Sequence, residues 1–178
     1  MNRTRKLIGI TGLMGSGKTA AAQILVRRYN FTLLRISGKM REIAFELILE
    51  PTRDFLQGIG KFMRDFDDDV WVRYLGERIK ETDGSVVVDD VRRLNEYTYL
   101  KALGFKFLRV ESEEQIRKKR IGFREKTSIS EEDWKRWSNH LTETQVQEIP
   151  VDQVVINNES LEDLERQIER IIASWEEI

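Results

Sequence analysis

Gly12-Leu13-Met14-Gly15-Ser16-Gly17-Lys18-Thr19 is the stretch whose reading decides the fold. It fits G-x-x-x-x-G-K-[ST], a loop whose glycines let backbone N–H groups turn inward around phosphate oxygens. The flanks are those the motif needs: the β-branched run Lys6 to Thr11 reads as a buried strand before it, and Lys18 to Tyr29 as a helix after it. The helix N-terminus contributes a positive dipole, Lys18 a mobile charge and Thr19 a hydroxyl for Mg2+. A tight strand-to-helix turn without a ligand would explain Gly12, Gly15 and Gly17, but not the Lys18-Thr19 pair that follows. Gly12, Gly15, Ser16, Gly17, Lys18 and Thr19 are therefore the candidate phosphate-binding residues.

Further along, Phe31 to Ile36 reads as a second strand, and Met40, Ile43, Ala44, Leu47 and Ile48 fall at helical spacing until Pro51. Thr52 to Phe66 and Asp69 to Thr82 predict two more helices. The turn Asp83-Gly84 leads into Ser85 to Asp90 (SVVVDD), a third strand ending in carboxylates. Leu94 to Leu103 reads as a helix closed by Gly104, and Phe105 to Val110 as a fourth strand. Glu113 to Arg120 starts a basic helix whose periodicity fails around Gly122, and Ser130 with Asp133 predicts the cap of a short Trp-bearing helix. Val151 to Ile156 reads as a fifth strand, and Ser160 caps a last helix with the stripe Leu161, Leu164, Ile168, Ile171, Ile172 and Trp175. Strands that alternate with helices predict an α/β fold, a parallel sheet covered on both faces.

The 178 residues fit a single domain, 1–178, without repeats or a linker. Lys and Arg number 30 against 31 Asp and Glu, so the chain as a whole has no pull toward nucleic acid or an anionic membrane. Cysteine is absent, which excludes disulfides, thiolate metal sites and a cysteine nucleophile, and one histidine, His140, is too few for a His-rich metal site. No apolar run approaches the roughly 20 residues that span a bilayer, and the basic start Met1 to Lys6 runs straight into a strand. A cytoplasmic protein with no membrane partner is the expectation.

GTPases, ATP-driven motors and small-molecule kinases all use such a loop. The chain has no N-K-x-D run for reading guanine and no L-S-G-G-Q run, and its length leaves little room for a motor's extra domain, so a kinase is the leading class. The strand beside a phosphate loop is expected to end in a carboxylate that holds Mg2+, directly or through water. Val88-Asp89-Asp90 offers two, of which alternation lets one face the loop; Asp90 is the first choice and Asp89 the second.

The run Asp90-Val91-Arg92-Arg93-Leu94-Asn95-Glu96 resembles the D-V-R-x-x-N-E hallmark of the deoxynucleoside monophosphate kinase family. Leu56-Gln57-Gly58-Ile59-Gly60 with Arg64, and Asp69-Val70-Trp71-Val72, are similar to that family's L-Q-x-x-G-x-x-x-R and D-x-W-V segments in the same order. His140-Leu141-Thr142-Glu143 resembles its H-x-[ST]-E element, and Asp152 to Asn157 its closing D-x-x-I-x-N strand. The pattern departs after strand two, where Ile36-Ser37-Gly38-Lys39-Met40-Arg41 stands in place of F-A-D-P-L-K. The resemblance implies a five-stranded parallel sheet of the nucleoside monophosphate kinase type, an acceptor-binding helical segment at about 38–82 and a basic lid. It implies an ATP- and Mg2+-dependent transfer to a (deoxy)nucleoside monophosphate, with Gln57, Arg64 and Arg92 toward the acceptor and Asn95 and Glu96 either toward it as well or only shaping the loop.

Arg117 to Lys126 carries six positive residues against one negative, enough to compensate two phosphorylated ligands, and reads as the lid, about 117–130. Arg120 and Arg124, four residues apart on one helix face, are its candidate phosphate contacts, while Arg92 has the planar fork that suits an acceptor phosphate. A solvated basic helix face and a nucleic-acid patch are the other readings of this segment. Asn157, with Asn158 beside it, either meets the adenine of ATP or makes a turn. His140 reads as a structural histidine, and the tryptophans as packing residues. Two rival functions stand beside the kinase of nucleotides: a dephospho-CoA kinase, and a nucleotide-binding regulator associated with nucleic acid. The preferred base and the oligomeric state are not legible.

Overall fold

The structure, a computed structural model, describes residues 5–48, 52–126, 128–138 and 141–175. Strand β1 (Leu7–Thr11) runs through the phosphate loop into helix α1 (Lys18–Tyr29), and β2 (Thr32–Leu34) follows. Three helices then precede the next strand: α2 (Gly38–Leu47), α3 (Arg53–Phe66) and α4 (Val70–Glu81). The rest of the chain alternates β3 (Val86–Val88), α5 (Leu94–Ala102), β4 (Lys106–Glu111), α6 (Glu114–Glu125), α7 (Glu131–Ser138), α8 (Leu141–Glu148), β5 (Gln153–Ile156) and α9 (Leu161–Ser174). The five strands are all parallel, in the order β2-β3-β1-β4-β5.

That order sets the site. The chain leaves β1 between β3 on one side and β4 on the other, so the strand order reverses there, and a crevice opens at the carboxyl ends of the strands. Alternation along each strand divides the core into two layers. Ile8, Ile10, Val87, Leu108 and Val110 pack with Ala21, Ala22 and Leu25 of α1 and with Leu164, Ile168 and Ile172 of α9. Val86, Val88 and Phe107 face the other way, against Trp71, Val72 and Leu75 of α4 and Leu100 of α5. On this second face Gly9 admits the Phe107 ring; a Cβ on Gly9 would stand 2.6 Å from it.

The elements read from the sequence are present, with corrections at their edges. Strand two is shorter than Phe31 to Ile36, because the chain already turns after Leu34 into the segment that leads to α2. Helix α6 does not break at Gly122 but continues to Glu125, since Ile121 is buried against Met14 and Trp134 and holds that turn. Helix α8 was not expected; its apolar content is thin, and only Val146 is buried among its described side chains. The caps expected of Ser130 and Ser160 form, each hydroxyl accepting from the backbone N–H three residues on. Of the tryptophans, Trp71 and Trp134 are buried, and Trp137 and Trp175 pack half-buried against the core. His140 lies outside the described residues. Among the described residues no helix is long and apolar enough to cross a membrane.

Helix α9 presents its stripe to the first layer: Ile168 is fully buried, while Leu161 at the start of the helix is half exposed. Ile168→Ala should therefore cost about 2–5 kcal/mol of unfolding free energy, and Leu161→Ala no more than about 0.5 kcal/mol, in urea titrations of the two variants.

Candidate functional site

The side chains that reach residues 12–17 of the phosphate loop engage its carbonyls, and within the loop Ser16 N–H donates to Leu13 O at 3.2 Å. The Lys18 ammonium, nearly buried, donates to the carbonyls of Gly12 at 2.6 Å and Leu13 at 3.0 Å. Arg117 donates to Met14 O at 3.3 Å, and Asn157 Nδ2 and Arg120 Nη1 donate to Ser16 O at 2.8 and 3.4 Å. A carbonyl aimed at a phosphate would repel it, so holding these carbonyls leaves the loop's N–H groups as its anion-binding face. Two glycines make the neighbours' approach possible. Gly15, at φ +77°, lies under α6, where a Cβ would come within 2.7 Å of Arg117 O; Gly17, at φ +103°, lies under Asn157, where a Cβ would meet Nδ2 at 2.1 Å.

Asn157 is thus a structural clamp. Its side chain is buried, its amide N–H goes to Ser16 O, and its Oδ1 accepts from Arg120 Nη2 at 3.4 Å, so the amide expected for adenine is engaged with the loop itself. Asn158 forms the turn, accepting from Glu113 N–H at 2.9 Å and donating to the Glu113 carboxylate.

The carboxylate beside the loop is Asp89, which reverses the expected choice of Asp90. Asp89 continues the face of Val87, which packs with α1, so its side chain arrives at the first turn of α1; Thr19 Oγ1 donates to Asp89 Oδ2 at 3.2 Å. Asp90 continues the face of Val88 and closes the turn after β2 instead, accepting from Ile36 N–H at 2.9 Å, Ser37 N–H at 3.1 Å and Ser37 Oγ at 2.8 Å. Thr19 and Asp89 are hard oxygen donors side by side, the pair that suits a Mg2+ ion held mainly by substrate phosphates and water. Asp89 also holds Arg35, Nε to Oδ1 at 2.9 Å and Nη2 to Oδ2 at 3.1 Å, and this contact raises the arginine's affinity for its proton.

In the basic segment the residues at the loop are Arg117 and Arg120, not Arg120 and Arg124. Arg117 is buried, with its guanidinium 5.2 Å over the Trp134 ring and its Nε donating to Ser112 O. Arg120 also donates to Ser112 Oγ at 3.2 Å, and its desolvation loosens its proton. Arg124 stands one turn further along α6, about 6 Å by helical rise, and its exposed guanidinium pairs with Glu125 at 2.9 Å. The 117/120 spacing was available in the sequence; what it lacked was the position of α6 over Gly15. Next to the loop a cavity of about 340 Å3 is lined by Arg109, Glu111, Ser112, Arg117 and Gln147. Arg109 secures the chain returning from α8, donating to the carbonyls of Gln147 and Ile149, and sequence reasoning missed it too.

Across the crevice, loop 90–96 is built on Glu96. Its buried carboxylate accepts the N–H groups of Arg92 and Arg93 at 2.9 and 3.0 Å, while Asn95 Nδ2 reaches Asp68 O and Asp69 Oδ1 at 3.1 and 2.7 Å. Asn95 and Glu96 therefore shape the loop rather than present themselves to an acceptor. Arg93 pairs with Asp68 at 2.6 Å, and Asp67 pairs with Arg73. Arg64 is half-buried and within electrostatic reach of Glu96, Arg93 and Asp68, and burial loosens its proton. Gln57 is exposed on α3.

Fold and loop together define a phosphate-loop α/β protein with the five-stranded parallel order β2-β3-β1-β4-β5. The solved structures with this fold include TT1252 of Thermus thermophilus, at 22% identity and TM-score 0.65 over 97% of this chain and 98% of that one. They also include shikimate kinase of Acinetobacter baumannii in complex with shikimate, at 16% identity and TM-score 0.64 over 96% and 94% of the two chains. A gluconokinase of Sinorhizobium meliloti aligns at 16% identity and TM-score 0.59 over 98% and 97%. A UPF0200 protein of Aeropyrum pernix is 27% identical over 103 residues, 57% of this chain and 54% of that protein, so the chain spans about half the length of the curated relative it matches. Residues 8–145 match the AAA domain family, and the chain belongs to it.

Burial pushes the Glu96 carboxyl up to about 7, against the two backbone N–H groups that favour its ionised form. A carboxyl that holds its proton more tightly folded than unfolded makes stability fall as pH rises from the unfolded value of about 4.3 toward 7, and leaves it flat above. Thermal melts across pH 4–8 should show this loss in the native protein, and Glu96→Gln, which keeps an acceptor without a titrating proton, should flatten that slope.

Proposed function

We propose that the protein transfers the γ-phosphoryl group of ATP, with Mg2+, to the phosphate of a nucleoside monophosphate, deoxynucleoside monophosphates first. The observation that carries this reading is the presence of two cationic clusters on opposite sides of the Asp89-Asp90 strand end. Lys18, Arg117 and Arg120 surround the phosphate loop, and Arg64 lies within electrostatic reach of Arg93 on loop 90–96, which also carries Arg92. A transfer from one phosphate to another brings two anions together, and two cationic groups separated by a metal-holding carboxylate match that load.

Phosphoryl transfer asks little covalent chemistry of the protein and much positioning. Bound Mg2+ would supply charge neutralisation between the donor's phosphate oxygens. Thr19 and Asp89 hold the ion's place at the first turn of α1, and Lys18 follows the transferring group from the loop. Arg117 and Arg120 brace the loop's carbonyls from α6, which keeps its remaining N–H groups turned to the donor's phosphates. In this reading Arg64 and Arg92 orient the acceptor phosphate, and Gln57, exposed on the same helix as Arg64, meets the base.

ADP release from Mg·ATP should depend on a nucleoside monophosphate, in a panel of the four deoxynucleoside monophosphates, their ribonucleotides, dephospho-CoA, shikimate and gluconate. Release with shikimate, gluconate or dephospho-CoA alone would overturn the nucleotide reading. Lys18→Ala should lose about 10²–10³-fold in kcat with an unchanged circular dichroism spectrum. Asp89→Asn should raise the Mg2+ concentration needed for half-maximal rate, whereas Asp90→Asn, whose carboxylate holds the Ile36-Ser37 turn, should lower the melting temperature more than it shifts the metal requirement.

A further inference from the structure

Asp89 is a buried carboxylate, 3% exposed, and its oxygens are already taken. Arg35 forks onto both of them, at 2.9 and 3.1 Å, and Thr19 takes a second position on Oδ2 at 3.2 Å. A carboxylate offers about four lone-pair positions, so three of them are engaged before any cation arrives. The arginine comes from the far side of the site, from the end of β2, two strands away from β1, and its side chain is 40% exposed. Its neighbours Ile36 and Ser37 are pinned by Asp90 through both backbone N–H groups, so the backbone at this point is fixed while the Arg35 side chain has an open path outward.

We infer that Arg35 is a positioning residue that competes with the metal for Asp89: it neutralises the carboxylate in the metal-free protein, and the metal–nucleotide complex displaces it. The inference rests on the reading of Thr19 and Asp89 as the metal's protein donors. Two cationic groups cannot share this carboxylate on equal terms, since the arginine charge opposes a divalent ion as strongly as it satisfies the buried anion. The phosphates of a nucleotide add the negative charge that tips the exchange. Free Mg2+ is therefore refused and nucleotide-bound Mg2+ accepted, which keeps Asp89 paired at every stage. The released guanidinium remains on the α2 side of the crevice, because Asp90 holds the turn that carries it.

Mn2+ serves as the probe, with free ion counted by electron paramagnetic resonance, alone and with the non-hydrolysable β,γ-imido analogue of ATP. Arg35→Met keeps the apolar stem and removes the charge; it should bind Mn2+ without nucleotide about tenfold or more tightly than the native protein, by the size of shift a neighbouring opposite charge exerts on a carboxylate. Arg35→Lys, a cation without the fork, should fall between the two, and it reports on the same competition should the methionine variant fail to fold. The melting temperature of Arg35→Met should lie below the native value without ligand and approach it when Mn2+ and the analogue are present. Equal Mn2+ affinity in native, methionine and lysine proteins, with metal-dependent analogue binding intact, would overturn the inference and leave the metal reading standing. Metal-independent analogue binding in the native protein would overturn the metal reading, and this inference with it.

Discussion

A carboxylate buried at the end of a central strand has to be paired, and the pairing of Asp89 organises the site. Left without partners in so dry a place, a charged carboxylate would cost the fold its lost hydration. Its hydrogen bond from Thr19 fixes β3 to the first turn of α1, and its contact with Arg35 ties in the end of β2. The strands β2, β3 and β1 are adjacent in the sheet, so one side chain connects their carboxyl ends to the phosphate loop. Asp90, one residue later, repeats the device on the opposite face by gripping the turn into α2. Two adjacent carboxylates thus hold the phosphate loop and the turn into α2 in one frame.

The other half of the site depends on α6 lying across the loop. Arg117, Arg120 and Asn157 converge on the carbonyls of Met14 and Ser16 from two different elements, helix α6 and the end of β5. The glycines at 15 and 17 are what allow that approach, so the same residues that shape the anion cradle also admit the groups that brace it from behind. Basic charge in this segment is divided accordingly: the inward residues are desolvated against the loop, and Arg124 and Lys118 satisfy surface carboxylates.

Much of this was legible from residues alone, because the signals were chemical or strongly periodic. The phosphate loop, the parallel sheet, the three helices between β2 and β3 and the caps at Ser130 and Ser160 were all expected and are all present. The phase of the carboxylates was not legible. Val86, Val87 and Val88 are all apolar and all buried, since helices cover the sheet on both faces, and a strand without polar alternation does not say which of its sides faces α1. Helix α8 escaped for the opposite reason, its few apolar residues making no stripe. Arg117 and Arg109 act through contacts with distant backbone, and spacing along one helix or strand does not disclose what crosses it. For Glu96 and Asn95 the sequence left two roles open, facing an acceptor or shaping the loop, and the burial and caps that form once α3, α4 and α5 pack together favour the second.

In the proposed reaction the crevice holds two phosphates, a donor on the loop and an acceptor at Arg64 and Arg92, with a divalent ion at Thr19 and Asp89 between them. A crystal structure with Mg2+, the β,γ-imido analogue of ATP and a deoxynucleoside monophosphate tests this most directly. The ion should stand against Thr19 and Asp89, directly or through one water, and the monophosphate should contact Arg64 and Arg92. An ion held by Asp90 instead, or a monophosphate seated beyond the loop in the cavity of Arg109 and Gln147, would contradict it.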